Sequence, residues 1–374
     1  MLPSLEIKNF RMLEDFRVEK LGRVNLIVGK NNSGKSSVLE ALRIYAGAAN
    51  RGLLEKIAAE HDEQARPLGA QGEDWDGSIP FAGFYTGRAY PHSGGEIVIG
   101  STATDRDALT ITYGFQEEIE EQASDGGRTL RTRFLRAYPE DGDPQKRILY
   151  CLRVTRGRQA FEIRLDHPSQ SRRIRPEPIN APCSVIPTQF VGVDELADAW
   201  DDIALTDGQK VVTEALRIIA PEFEGLTFVR REGPGELRRT ARVKLSTSQS
   251  PVTLGSLGDG MVRVLQLALK LFPAKGGFFL IDEFENGLHF SVQEQLWTLL
   301  FAMAAKLDVQ LFATTHSWDC IESFARAAKA TSGAEGVLFR VGRSVRASDR
   351  GKVIATVFDQ EQLHNITQGD VEVR

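Results

Sequence analysis

Apolar and polar positions alternate over Ser4–Phe10, the pattern of a strand covered on one face. Val24–Val28 then runs apolar for a strand's length, as suits a strand buried on both faces. From Ser36 the period lengthens, and Val38, Leu39, Leu42 and Tyr45 fall on one helical face. Arg51–Pro80 is polar and contains glycine, with one helical patch near Leu53–Ala59, and reads as an irregular insertion. Between Gly94 and Leu165 the period drops to two. The runs EIVIGST, ALTITYGF, TRFLRAY, RILYCLRV and AFEIRLD are separated by glycine- and aspartate-rich turn signals, which predicts an antiparallel β-lobe. Ser169–Pro182 is rich in proline and arginine and reads as a linker or extended crossover. Beyond it the pattern predicts helices over Gln209–Ile219, Gly260–Leu271 and Phe290–Leu307. Strand-like alternation covers Thr227–Leu245, and buried strands are expected at Gly277–Ile281 and Val309–Thr314. No heptad or internal repeat interrupts this order. The expected class is α/β, with a mixed sheet and an antiparallel β-lobe.

Length and composition narrow the picture only a little. The 374 residues are 41% hydrophobic and 26% charged, ordinary for a globular chain. A net charge of −5 gives no global support for nucleic-acid binding. Cys151, Cys183 and Cys320 are far apart with no CxxC pair, which argues against a disulfide framework or a zinc site. There is no apolar run of membrane-spanning length and no signal-peptide core at the N-terminus, so a soluble, cytoplasmic protein with no membrane partner is expected.

The chemistry concentrates at strand ends. Gly29-Lys30-Asn31-Asn32-Ser33-Gly34-Lys35-Ser36 matches GxxxxGK[ST] and lies between an apolar strand and a helix. There the backbone N–H groups of Asn31, Asn32, Ser33, Gly34, Lys35, Ser36 and Ser37 are candidates to cradle phosphate oxygens at a helix N-terminus. Lys35 would reach the β- and γ-phosphates of ATP, and the Ser36 hydroxyl would bind Mg2+. The apolar run Phe278–Ile281 ends in Asp282 and Glu283. Asp282 would hold the metal, and Glu283 would deprotonate the attacking water as a general base. Strands often end in acidic turn residues, so this pair gains its meaning from the phosphate loop. His316 follows a further buried strand and is placed to bond the γ-phosphate or the water, although a strand-end histidine is more often structural. Finally, Ser256, Gly258 and Gly260 in LGSLGDGM open a helix and form a second anion-binding terminus, unless the glycines serve only turn geometry.

Taken in order, the phosphate loop, LGSLGDGM, FLIDEFENGLH and TTHS resemble the ABC-type ATPase heads of the SMC, RecF and OLD (overcoming lysogenization defect) group. The likeness covers residues 1–45 and 245–325 and includes the opening LEIKNFRMLEDFRV. It implies a P-loop NTPase fold of ABC-ATPase type, a single domain over 1–374. Within it a Walker A lobe would span about 1–50, an insertion about 51–93, a β-rich lobe about 94–168, and the signature, Walker B and switch region about 183–374. The resemblance also implies a head-to-head dimer around two ATP molecules. Each ATP would touch Lys35 and Ser36 of one chain and Ser256 and Gly258 of the other. Glu285, Asn286 and His289 would fall in the D-loop that crosses the interface, and Arg11 in NFRM matches a basic position that approaches the nucleotide. A Q-loop glutamine should follow the phosphate loop, but neither Gln71 nor Gln116 fits. The signature reads SLGDG, departing from LSGGQ in the direction of OLD-like ATPases.

Two absences narrow the resemblance. The 220 residues from Ser36 to Ser256 carry no coiled coil of SMC type, and the 58 after His316 are too few for the TOPRIM nuclease fused to OLD proteins. What is left resembles stand-alone OLD-like ATPases such as that of the PARIS anti-phage systems. The expected function is an ATPase that dimerises on ATP, or assembles further, and scaffolds or regulates a separately encoded effector such as a TOPRIM-like nuclease. A RecF-like repair ATPase that binds DNA directly is the alternative. Its support is two basic clusters: Arg230, Arg231, Arg238, Arg239, Arg242 and Lys244, and Arg128, Arg131, Arg133 and Arg136. A transporter subunit fits less well, given the unusual signature. No nuclease centre is expected in this chain, because Asp141 and Asp143 lie in a turn and Asp198, Asp201 and Asp202 read as solvated.

Overall fold

A computed structural model describes residues 1–63, 81–91, 95–102, 104–122, 128–139, 146–165, 180–232, 237–333, 335–358 and 362. The chain opens with β1 (Leu5–Phe10), β2 (Leu13–Val18) and β3 (Val24–Val28), followed by α1 (Lys35–Ala46) and α2 (Arg51–Glu60). Next come β4 (Glu96–Ser101), β5 (Thr104–Gln122), β6 (Arg128–Leu135), β7 (Arg147–Arg156), β8 (Gln159–Arg164) and β9 (Cys183–Ile186). Helices α3 (Val193–Ile203) and α4 (Asp207–Ile219) lead to β10 (Phe223–Glu232), β11 (Leu237–Leu245) and β12 (Val252–Thr253). The last part holds α5 (Asp259–Leu271), β13 (Phe278–Ile281), α6 (Phe290–Lys306), β14 (Gln310–Thr315), α7 (Trp318–Ala330), β15 (Gly336–Arg343) and β16 (Val353–Phe358).

A mixed six-stranded sheet runs in the order β16-β15-β3-β14-β13-β9. All its neighbours pair in parallel except β15 with β16. Its central strands are covered on both faces, and the residues divide by parity, as a pleated strand requires. Val24, Leu26 and Val28, with Phe279, Ile281, Leu311 and Ala313, face the core shared with α3–α7. Ile27, Phe278, Leu280 and Phe312 face a second core shared with α1 and the antiparallel sheet. Asn25 breaks the apolar run of β3 and is fully buried, yet it is satisfied by Gly22 and the Leu311 carbonyl, 2.8 and 3.1 Å away.

The antiparallel sheet is larger than the alternation predicts. It orders β2-β1-β4-β5-β7-β8, with β6 on β5, so the first two strands of the chain join the β-lobe and only β3 enters the mixed sheet. Strand β2 was not expected: LEDFRV is too charged to stand out, and it forms because it hairpins on β1. The helical patch near 53–59 is the core of α2, which starts at an Asn50 side-chain cap. The rest of that insertion, 64–80, and nearly all of the proline-rich 169–182 segment lie outside the described residues. Gln71, Asp141 and Asp143 do too. Among the described residues no helix is long and apolar enough to cross a membrane.

Candidate functional site

Because β3, β14, β13 and β9 run parallel and in register, their C-terminal ends share one edge of the mixed sheet. Thr315 pairs with Val28, Ala313 with Ile281 and Ile281 with Ile186. That single edge therefore carries the phosphate loop after Val28, His316 after β14, Asp282 and Glu283 after β13, and Pro187-Thr188-Gln189 after β9.

The phosphate loop is tight. Gly29 has φ +152°, and a Cβ there would sit 2.3 Å from the Val341 carbonyl. Asn32 (φ +58°) and Gly34 (φ +108°) turn the chain so that α1 starts at Lys35 with no side-chain cap, leaving its first N–H groups for a ligand. Lys35 is buried, and its Nζ donates to the carbonyls of Gly29 (2.8 Å) and Lys30 (3.0 Å). Burial lowers its pKa, against the opposing pull of Asp282, Glu283 and Glu285. Ser36 is exposed at the helix start, and the Ser33 hydroxyl is buried without a partner.

Across from the loop, the Asp282 carboxylate accepts from Thr188 Oγ1 at 3.0 Å and Thr314 Oγ1 at 2.6 Å. Two hydroxyls thus fix the orientation of a carboxylate, as outer-shell partners do for metal ligands. Glu283 sits at φ +48°, a conformation costing a non-glycine residue about 1–2 kcal/mol. Its N–H donates to Thr314 Oγ1 (2.8 Å) and its carbonyl accepts from Arg263 Nη2 (2.7 Å). The His316 ring lies 3.2 Å from Glu285 and 3.8 Å from Glu283, so strand-end histidine and carboxylates meet. One Glu285 oxygen takes the His316 backbone N–H, and the other is buried without a partner.

The remaining predicted positions divide. Ser256 is exposed in a 3-10 turn and donates to the Thr253 carbonyl (2.6 Å), while Gly258 (φ +91°) caps α5. Ser256, Gly258 and Gly260 are not buried and form a patch separate from this chain's own phosphate loop in sequence and element. His289 is exposed and caps α6, whereas Asn286 turns inward to the Thr188 carbonyl (2.6 Å). Arg11 is held by Glu40 (2.6 Å) and Glu63 (3.3 Å), so it meets carboxylates where a phosphate contact was expected. Gln116 is buried in the antiparallel sheet and donates to Glu162, away from the strand-end edge. Two residues escaped the sequence reading. Gln189 is exposed one residue beyond Thr188, at the end of the parallel strand beside β13. Arg263 is fully buried and donates to the carbonyls of Pro187, Asp282 and Glu283. Its acceptors are backbone atoms, which leave no mark in a sequence pattern. Burial pushes its pKa down to about 10, countered by Asp282, Glu285 and Glu283.

A family profile described as "AAA domain, putative AbiEii toxin, Type IV TA system" matches residues 24–319. A Helicobacter pylori protein named "ATP/GTP phosphatase" is 22% identical over 353 residues, 86% of this chain and 87% of that one. Local likeness extends to the "DNA replication and repair protein RecF" of Marinomonas sp., 40% identical over 78 residues and 21% of each chain. The Archaeoglobus fulgidus "DNA double-strand break repair Rad50 ATPase" is 48% identical over 44 residues, 12% of this chain and 5% of that one. Among solved structures, an Smc head bound to the C-winged helix domain of ScpA has TM-score 0.47 and 15% identity, covering 98% of this chain and 99% of that one.

Proposed function

The chain belongs to the family described as AAA domain, putative AbiEii toxin, Type IV TA system, and on that premise we propose how its site works and what it serves. It is a P-loop ATPase of the SMC, RecF and Rad50 type. In our reading the loop from Asn31 to Ser37 cradles ATP, and Lys35 leaves the Gly29 and Lys30 carbonyls to meet the β- and γ-phosphates. Ser36 and Asp282 would hold magnesium. An exposed hydroxyl and a carboxylate fixed by two threonines suit a cation that binds through few protein ligands plus phosphate. When bound, magnesium supplies neutralisation of the phosphate charge. Glu283 takes the proton of the attacking water, and His316, steadied by Glu285, bonds the γ-phosphate. Gln189 is the glutamine expected beyond the phosphate loop, since it shares the strand-end edge with Asp282.

The observation that carries the wider reading is that the Ser256–Gly260 cap is not buried and opens a helix, α5, other than the one the phosphate loop opens; such a terminus suits an anion. We infer that it completes the site of a second copy, so that ATP closes two chains head to head. The closed pair then scaffolds or restrains a separately encoded effector, as stand-alone OLD-like ATPases do. The toxin named in the family description supports a role in anti-phage defence. Direct DNA binding of the RecF kind is weakened by pairing of the basic residues: Arg239 contacts Asp198 and Asp201, Lys244 contacts Glu224, and Arg136 contacts Glu96.

Mixing two inactive variants tests the shared site. Ser256→Arg puts a bulky cation at the cap and leaves the phosphate loop intact, so this variant should bind ATP but neither dimerise on it nor turn it over. Mixed with Lys35→Ala protein it should regain part of the activity, because one composite site then has both intact halves. A mixture as inactive as either parent, under conditions of subunit exchange, would sink the shared site.

A further inference from the structure

Arg263 is an oddity of the fold: a fully buried cation on a helix whose other buried residues are mostly aliphatic. A buried charge persists where it is compensated, and here no carboxylate side chain among the described residues bonds it. Its compensation is three backbone carbonyls, Pro187 at 3.0 Å, Asp282 at 2.8 Å and Glu283 at 2.7 Å. Those carbonyls belong to the ends of β9 and β13. The planar fork of a guanidinium reaches all three at once, which a single ammonium does less well.

What the fork accomplishes appears at Glu283. That residue stands in the left-handed region, φ +48°, which a side chain with a Cβ leaves unless its surroundings over-determine it. Thr314 holds the N–H in front of it and Arg263 holds the carbonyl behind it, so both flanking peptide groups are pinned. Those two bonds fix where the Glu283 side chain leaves the backbone, and its carboxylate lies 3.8 Å from the His316 ring. Arg263 is also the fifth residue of α5, about 7.5 Å along its axis from the Gly258 cap. One rigid turn of α5 thus joins the surface offered to a second copy with the backbone that aims this chain's own general base.

We propose that Arg263 is a positioning residue for ATP hydrolysis: it holds Glu283 in its left-handed conformation and ties that conformation to the signature helix. The inference rests on the assignment of Glu283 as general base. Arg263→Lys keeps the charge but loses the fork. Turnover should fall about 10- to 100-fold, the usual consequence of misplacing a catalytic group by an ångström. The affinity for a non-hydrolysable ATP analogue should change by less than about threefold, because the phosphate loop is untouched.

The decisive measurement combines it with Glu283→Gln. If Arg263 acts through Glu283, adding Arg263→Lys to the glutamine variant should cost no further turnover. Multiplicative losses in the double variant would overturn the proposal. Val264→Ala, a core change on the same helix that lines a small cavity with Val211, Ala215 and Leu296, controls for instability. Compared at matched loss of melting temperature, Val264→Ala should retain turnover. Equal loss in both variants would reduce Arg263 to a packing residue. Failure of the underlying reading looks different: the parent protein would hydrolyse no ATP, or Glu283→Gln would turn over at the parent rate.

Discussion

Lys35 and Glu283 stand on opposite sides of the site, and their substitutions should separate binding from chemistry. Lys35→Ala removes the charge that neutralises the phosphates and should abolish nucleotide binding or turnover, measured by calorimetry and phosphate release. Glu283→Gln leaves Ser36, Asp282 and Lys35 in place, so it should bind ATP and lose turnover by about 10²- to 10⁴-fold. Parent-level hydrolysis by the glutamine variant would refute the assignment of the base. Lys35 also carries a pH signature. Desolvation lowers its pKa below the ordinary 10.5, so the charged form is lost earlier on alkalinisation than from an exposed lysine. ATP affinity should therefore start to weaken at a pH below 10.5, and Lys35→Arg should shift that fall upward. Arg263 remains cationic at neutral pH even with its pKa pushed down to about 10, so its carbonyl bonds persist over the range where activity would be measured.

Among the elements, the β3–loop–α1 unit is set by backbone geometry more than by side chains. Gly29→Ala should destabilise the protein by about 1–3 kcal/mol in a denaturant titration, since φ +152° and the Val341 carbonyl at 2.3 Å both oppose a Cβ. ATP binding should fall with it. A variant as stable as the parent would mean that the loop relaxes freely, which its buried Ser33 and tight contact to β15 argue against. At the α3–β11 contact, Arg239 bridges Asp198 and Asp201, which the sequence read as solvated. Both aspartates are largely exposed, so the pair adds little stability, but it occupies one of the arginines that a DNA-binding reading draws on.

For the whole molecule, no group of three or more metal-holding side chains stands among the described residues. Asp282, Glu283 and Glu285 line the strand-end edge, and Asp198 and Asp201 are taken by Arg239. A two-metal nuclease needs several carboxylates around ions about 3.5–4 Å apart. Pure protein should therefore leave supercoiled DNA, linear DNA and tRNA intact in magnesium or manganese, and any cutting should require a second chain. Cleavage that survives Glu283→Gln and disappears with Asp141→Ala would reveal a catalytic centre in the β-rich lobe and overturn this expectation.

The sequence by itself determined which polar residues stand at the ends of buried strands. The phosphate loop, Asp282-Glu283 and His316 each follow a buried strand, and an apolar run ending in polar residues is a local signal. It also determined the antiparallel character of the β-lobe, because period-two alternation and turn residues are local as well. Only the tertiary structure decided which strand ends share an edge, since register between β9, β13, β14 and β3 depends on pairings between segments far apart in the chain, as Leu311 with Val24. It alone moved β1 and β2 into the antiparallel sheet, turned Arg11 to Glu40 and Glu63, and set Thr188 against Asp282. Arg263 was the least legible of all. On paper it is one more charge in an amphipathic helix; folded, it is buried against carbonyls that any residues at those positions would offer, so nothing in the pattern of side chains marks it.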